Sequence, residues 1–340
     1  QGGGPGSFAG AGVYAGKTFH PLSGQGPTSG HAAMVASYWY RNDTGAAPAV
    51  TDIHAQRAVD FVFDSLLAGA EATVLPGLVQ NHSWVGGTGN AGTDVSILRR
   101  FDHMIQRDGR IAVAGLRNDT QMAALLGNAY HGIVAGLRSG AHSRGGSNVD
   151  GAGRMKPDLV AGADLTSNAT AVVSGIATLL MQGALASGAS DAARPEVIKA
   201  VLLAGASKQR IPGWRRLSSQ RPYDEVLGAG EVNALNAWRI HAAGRHISSG
   251  SEEVPLQGWD FALTAANGVG RLYFFSVPQG GAGQTCSAAL TWHRAIDLEA
   301  GTALLPDLTL KLWAADHFVK TGGALAVSDR AVDNVEHAFL

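Results

Sequence analysis

One stretch constrains this chain more than any other: Thr166-Ser167-Asn168-Ala169-Thr170, running into Ala171-Val172-Val173-Ser174-Gly175-Ile176-Ala177-Thr178-Leu179-Leu180. A small polar pair opens a strongly apolar, small-residue helix. Breaker-rich sequence, Gly151-Ala152-Gly153-Arg154-Met155-Lys156-Pro157-Asp158-Leu159-Val160-Ala161-Gly162, leads into it. The first N–H groups of a helix lack intrahelical acceptors, and its N-terminus carries positive partial charge. A serine hydroxyl held there suits a nucleophile whose attack creates an oxyanion. Read from this stretch alone, Ser167 or Thr166 as an ordinary N-cap is the simpler account.

The flanks extend the pattern. Lys156-Pro157-Asp158, a short gap, then Thr166-Ser167-x-Ala169 and a small-residue helix resembles the nucleophile segment of subtilases, the subtilisin-like serine peptidases. Their usual form is Gly-Thr-Ser-Met-Ala-x-Pro-x-Val-x-Gly. Leu165, Asn168 and Ala171 depart from it; Thr166, Ser167, Ala169, Val173 and Gly175 keep their places. Gly30-His31-Ala32-Ala33-Met34-Val35-Ala36 is similar to the family's His-Gly-Thr-x-Val-Ala, so the resemblance makes His31 the general base. By itself His31 reads as a helix-start histidine, one of twelve in the chain. Ala32 in place of Gly requires a negative φ there.

Val79-Gln80-Asn81-His82-Ser83-Trp84-Val85-Gly86 reads as a strand ending in a turn, and by resemblance it runs beside the substrate. Ser83, Trp84 and Gly86 are then substrate-binding candidates, although Trp84 also reads as core. His82 falls on the opposite strand face and is set aside as a catalytic residue. Arg110-Ile111-Ala112-Val113-Ala114-Gly115-Leu116-Arg117-Asn118 resembles the strand that ends in Ala-Ala-Gly-Asn, with Leu116-Arg117 inserted. Asn118 would donate to the oxyanion beside the Ser167 N–H, with Gly115 lining the substrate pocket; read neutrally, Asn118-Asp119 is a turn. Ala141-His142-Ser143-Arg144-Gly145-Gly146-Ser147-Asn148 matches the loop before Lys156-Pro157-Asp158, which makes His142 structural.

The third member of a serine-peptidase triad is the gap in this reading. The family's aspartate precedes the histidine, yet no Asp or Glu occurs from Gln1 to Arg41. Asp43 is the first acid, and Asp52 reads as the N-cap of a helix carrying Ala58, Val59, Val62 and Leu66, with Asp60 and Asp64 on its polar side. Either the aspartate is lost, or the sequence is a fragment that starts after it; the fragment is the expectation, because the C-terminal end also reads as cut.

Apolar strand runs at Thr73-Val74-Leu75, Ile111-Ala112-Val113 and Gly132-Ile133-Val134-Ala135 alternate with helices around Val95–Ile105 and Pro195–Leu203. That alternation implies an α/β, doubly wound, mostly parallel sheet. Residues 1–245 are expected to form the subtilisin-like peptidase domain. Residues 246–340 read as short alternating runs between turns, a smaller antiparallel β-sandwich resembling a jelly-roll module. Trp292 and Trp313 fit its core as well as a carbohydrate face.

With 26 Lys and Arg against 27 Asp and Glu, the chain lacks the charge bias of a partner for nucleic acid or an anionic membrane. Its lone cysteine, Cys286, allows no intrachain disulfide and reads as a small buried hydrophobe. No apolar run reads as transmembrane. Some subtilases bind calcium, but no carboxylate cluster of that kind is evident, and no cofactor is expected. The resemblance implies a secreted, monomeric serine endopeptidase acting on peptides. The competing reading is a catalytically inactive subtilase-fold protein that binds peptides or surface partners.

Overall fold

The computed structural model describes residues 12–24, 29–121, 125–145, 149–151, 153–209, 211–216, 218, 221–263, 270–278 and 285–340. Residues 1–11, 25–28, Gly146, Ser147, Asn148 and Ala152 lie outside them.

Among the described residues, two parallel sheets make up the α/β part. The smaller pairs β1 (Thr18–Pro21) with β2 (Asp52–Ala55), and helix α1 (Gly30–Trp39) lies between them in sequence. The larger has the order β3 (Val79–His82), β4 (Ile111–Gly115), β5 (Ile133–Leu137), β6 (Leu159–Ala161), all parallel. Every residue of β4 and β5 is buried, as in a sheet covered on both faces. One face carries helix α3 (Ala91–Asp108) through Ile97, Leu98, Phe101, Met104 and Ile105. The other carries α4 (Thr166–Ser187) and α5 (Pro195–Gly205), through Val173, Ala177, Leu180, Ile198 and Leu202. Asn90 caps α3 by accepting from the Thr93 N–H, and Pro195 starts α5 where no backbone donor is needed. Helix α6 (Ala234–Ala242) packs on α5.

Gly115 sets the approach of helix to sheet. A Cβ there would lie 2.8 Å from Thr170 Oγ1, so glycine lets the end of β4 meet α4 with the Thr170 hydroxyl undisturbed.

Three local expectations fail. Asp52 starts strand β2 rather than a helix. Ile53 beside it points into a cluster with Tyr14, Ala36 and Tyr40, and this burial outweighs the cap signal. The helix begins at Ala58 as a short α segment, α2 (Ala58–Asp60), continued by a π-helix (Phe61–Leu66). Asp60 is buried against Arg57 Nε (2.6 Å) instead of lying on a polar face, whereas Asp64 is exposed. Thr73-Val74-Leu75 forms no strand, with Val74 exposed. The expectation about membrane spans changes as well: α4 is long and apolar enough, by length and composition, to cross a membrane. Here it is the central core helix, with 61% of its apolar 18-residue stretch buried.

The C-terminal strands form small antiparallel sheets: β7 (Ser287–Thr291) with β12 (Val335–Phe339), β8 (Ala295–Asp297) with β9 (Thr302–Leu304), and β10 (Thr309–Asp316) with β11 (Val319–Asp329). Among the described residues these two-stranded pieces do not close into a jelly roll. The runs at Trp259 and Phe274 contribute only isolated bridges. Trp292 is buried and donates to Pro306 O; Trp313 lies under the Lys320 ammonium. Cys286 is half-buried, its backbone paired with Leu340. Trp259, Phe261, Ala289 and Val335 join the core of α4 and α5. Buried Arg294 reaches Asp102 (2.8 Å) on α3 and Asp150 (2.6 Å), with its guanidinium over the Tyr130 ring.

Candidate active site

Strand β6 is anchored at its start by Asp158, which is fully buried. Lys156 Nζ (2.9 Å), Tyr223 OH (2.9 Å) and the Val134 N–H (2.7 Å) all donate to its carboxylate. Burial pushes the Asp158 carboxyl up, but Lys156 and Lys199 outweigh it and hold it below the usual range. After Ala161 only Gly162–Leu165 separate β6 from α4, so the anchored strand delivers the first turn of α4 to the carboxyl edge of the sheet, where sites form in open α/β folds.

That first turn is capped from a distance. Leu165 occupies the N-cap position and supplies no side-chain acceptor. Asn118 Oδ1, beyond the end of β4, accepts from the Thr166 N–H (2.7 Å), while Thr166 Oγ1 donates to Leu116 O (2.6 Å) and lies 3.0 Å from Asn118 Oδ1. With its oxygen committed to Thr166, the Asn118 amide has only its NH2 end to offer elsewhere, and no described residue takes it.

Ser167 follows, half-buried, with Oγ 2.9 Å from His31 Nε2. The two are 136 residues apart in sequence. His31 lies in the first turn of α1, capped by Ser29 Oγ accepting from the Ala32 N–H (3.2 Å). Ala32 is helical, not at positive φ, so its methyl group is tolerated. Helix α1 is docked on α4 by Trp39 Nε1 donating to Thr178 Oγ1 (3.1 Å), which in turn donates to Ser174 O (2.7 Å). Partial burial lowers the His31 pKa below its ordinary 6.5, favouring the neutral ring that can accept a proton. Among the described residues no carboxylate bonds to His31 Nδ1.

The proposed substrate wall is partly in place. Ser83 lies against the nucleophile, but its hydroxyl is committed: it donates to Ser167 O (2.8 Å), and the Ser83 carbonyl lies 3.5 Å from Ser167 Oγ. The Trp84 ring is half-buried, packed near Phe61 and His82 in the cluster under α3. Gly86 is exposed and its carbonyl accepts from the Leu125 N–H. Gly115 lies beneath α4 as described above. His82 is buried among Phe61 and Phe101, with its pKa pushed down to about 3 by burial, so it stays neutral and away from Ser167. His142 is buried and bonded to Ser143 O (2.8 Å).

Sequence reading passed over Asn81 and Ser174. Ser174 Oγ donates to Asn81 Oδ1 (2.9 Å), and Asn81 Nδ2 donates to Ser83 Oγ (2.9 Å). The signal was available: Asn81 precedes Ser83 by two, hence shares its strand face, and Ser174 follows Ser167 by seven, two helical turns.

No family model matches the chain, and no curated protein does. It is similar to several solved structures. The prenylagaramide maturation protease PagA is 18% identical, with a TM-score of 0.48 over 66% of this chain and 86% of that one. The patellamide maturation protease PatA is 16% identical, with a TM-score of 0.47 over 68% and 92%. A lanthipeptide protease is 15% identical, with a TM-score of 0.45 over 66% and 81%. The contacts of Ser167, not these likenesses, carry the functional reading. Among the described residues no group of three or more His, Cys, Asp or Glu is arranged to hold a metal ion.

Proposed function

We propose that this chain is a serine endopeptidase of the subtilase kind. The observation that carries the reading is Ser167 Oγ at 2.9 Å from His31 Nε2, on the first turn of a buried helix. His31 accepts the Ser167 proton as Oγ attacks a peptide carbonyl. The negative oxygen that forms is met by the Ser167 N–H, which has no intrahelical acceptor, and by the free NH2 of Asn118. His31 then passes its proton to the leaving amine, and water repeats the sequence on the acyl-enzyme. The strand end from Ser83 to Gly86 offers its backbone to the substrate, with Gly115 lining the pocket. This chemistry needs no cofactor. Secretion, a monomeric state and a peptide partner belong to the same proposal.

A second reading has one observation in its favour. Among the described residues no carboxylate meets Nδ1, so the imidazole lacks the usual tautomer lock, whose loss costs about four orders of magnitude in turnover in serine peptidases. A chain of this kind would bind peptides at Ser83–Gly86 and hydrolyse them barely or not at all.

Labelling with a fluorophosphonate and hydrolysis of a peptide library separate the two. The peptidase reading expects covalent labelling at Ser167 and hydrolysis of peptides, both lost in Ser167→Ala. Hydrolysis that survives Ser167→Ala would remove this mechanism; peptide binding without labelling would establish the second reading.

A further inference from the structure

Three hydrogen bonds lead from the interior of α4 back to its first turn by way of strand β3. They run Ser174 Oγ to Asn81 Oδ1, Asn81 Nδ2 to Ser83 Oγ, and Ser83 Oγ to Ser167 O, at 2.9, 2.9 and 2.8 Å. Ser174 is fully buried and Ser83 nearly so. The order of donors is constrained. A hydroxyl carries one proton and an amide offers one acceptor oxygen and one donor NH2. Ser174 occupies the Asn81 oxygen, which turns the NH2 toward Ser83. Ser83 accepts there, so its single proton is left for the Ser167 carbonyl. The same serine pair meets again at the reacting end, where Ser167 Oγ lies 3.5 Å from the Ser83 carbonyl.

We infer that Asn81 is a positioning residue: backed by Ser174, it aims the Ser83 proton at the Ser167 carbonyl and thereby holds Ser167 Oγ in line with His31 Nε2. This rests on the reading of Ser167 as a nucleophile. Asn81 touches neither reacting atom. Its chemistry is specific, because the relay needs a donor and an acceptor on one planar group. Aspartate has the same shape and two acceptors. With Asp at this position the Ser83 proton turns from Ser167 to the carboxylate, and the tie on the first turn of α4 is released.

The test compares the full chain with its Asn81→Asp, Asn81→Ala and Ser174→Ala variants. It follows the rate of fluorophosphonate labelling, the 15N shift of His31 Nε2, and thermal unfolding. The nitrogen shift reports the His31–Ser167 hydrogen bond with no reaction taking place. Asn81→Asp is expected to slow labelling about tenfold or more, the scale on which small misplacements act, and to move the His31 Nε2 resonance. Ser174→Ala removes the donor that fixes the Asn81 amide but leaves a group that can still turn its NH2 to Ser83, so it slows labelling by less than Asn81→Asp does, although it strands a buried acceptor and lowers the melting temperature. A merely structural role would make the rates follow the melting temperatures across all three variants, and that result overturns the inference. So does an unmoved His31 Nε2 in Asn81→Asp. A parent chain that never labels, yet whose His31 Nε2 moves in Asn81→Asp, retires the nucleophile reading and keeps the positioning role.

Discussion

At the scale of residues, the same side chain often serves two needs, and substitutions can separate them. Asn118 caps α4 with its oxygen and has its NH2 free. Asn118→Asp keeps the acceptor for Thr166, improved by a negative charge at a helix N-terminus. It also replaces the oxyanion donor by a second acceptor. The expected result is a melting temperature at or above that of the parent, with labelling or hydrolysis slowed by about 10²- to 10³-fold, the cost of one lost oxyanion donor. Equal rates would take Asn118 out of the mechanism. His31 gives the pH dependence. Its pKa is lowered by partial burial, so its neutral form persists to lower pH than for a free imidazole. Labelling of Ser167 is therefore expected to rise with pH and to reach half its maximum below pH 6.5.

Residues also show how far the site is legible in sequence. Ser167, His31 and Asn118 carry local motifs, and the structure brings all three to one place. Asn81 has no local signature, since an asparagine in a strand is distinguished only by what faces it. Trp84 marks the opposite limit: whether its ring meets a substrate or the core depends on Phe61, twenty-three positions away, and no pattern around Trp84 encodes that.

At the scale of elements, the continuous apolar runs of β4 and β5 announce a sheet covered on both faces, and α3, α4 and α5 follow from their apolar faces and from Asn90 and Pro195. Strand β2 was hidden because Asp52 imitates a cap, while Ile53 is drawn into a cluster formed by distant aromatics. The contact between β4 and α4 yields a prediction. Gly115→Ala places a methyl group 2.8 Å from Thr170 Oγ1. Either the Thr170 hydroxyl leaves its bond to Thr166 O or the helix shifts, at a cost of about 1–3 kcal/mol. Because α4 carries Ser167, labelling should slow more than about tenfold. Calorimetry and labelling of the same sample check both; a normal rate in a destabilised protein would show that α4 accommodates the methyl without moving its first turn.

At the scale of the whole molecule, the C-terminal strands are fastened by a polar seam as well as by apolar packing. Arg294 lies buried between Asp102 and Asp150, and removing it leaves both carboxylates without that partner. Arg294→Ala is expected to destabilise the protein by about 3–5 kcal/mol. Shared core residues imply one unfolding transition for parent and variant alike; two resolved transitions would mean that the seam does not couple the parts. Buried histidines add an acid limit. His82 is held neutral, with a pKa near 3 against 6.5 when unfolded. Between those values the unfolded chain binds the proton and the folded chain does not, so stability falls as pH drops below 6.5. From pH 6.5 to 4.5 this one ring accounts for a loss of about 2 kcal/mol. His131, His293 and His337 are depressed in the same direction, again chiefly by burial. His82→Phe should flatten the pH dependence of the melting temperature.

The two parallel sheets divide the site between unequal bodies. Ser167 stands on the large sheet's helix, with its extensive core, while His31 rides on a helix packed over a two-stranded sheet and a handful of aromatics. Their meeting is governed by the grip of α1 on α4, not by the register of either sheet. The pair therefore behaves as a clutch: the small body can slip without the large one melting, and the hydroxyl is then left without its imidazole. Amides of α1 should exchange with solvent well before those of α4, and warming should extinguish labelling of Ser167 at temperatures where the large sheet still stands.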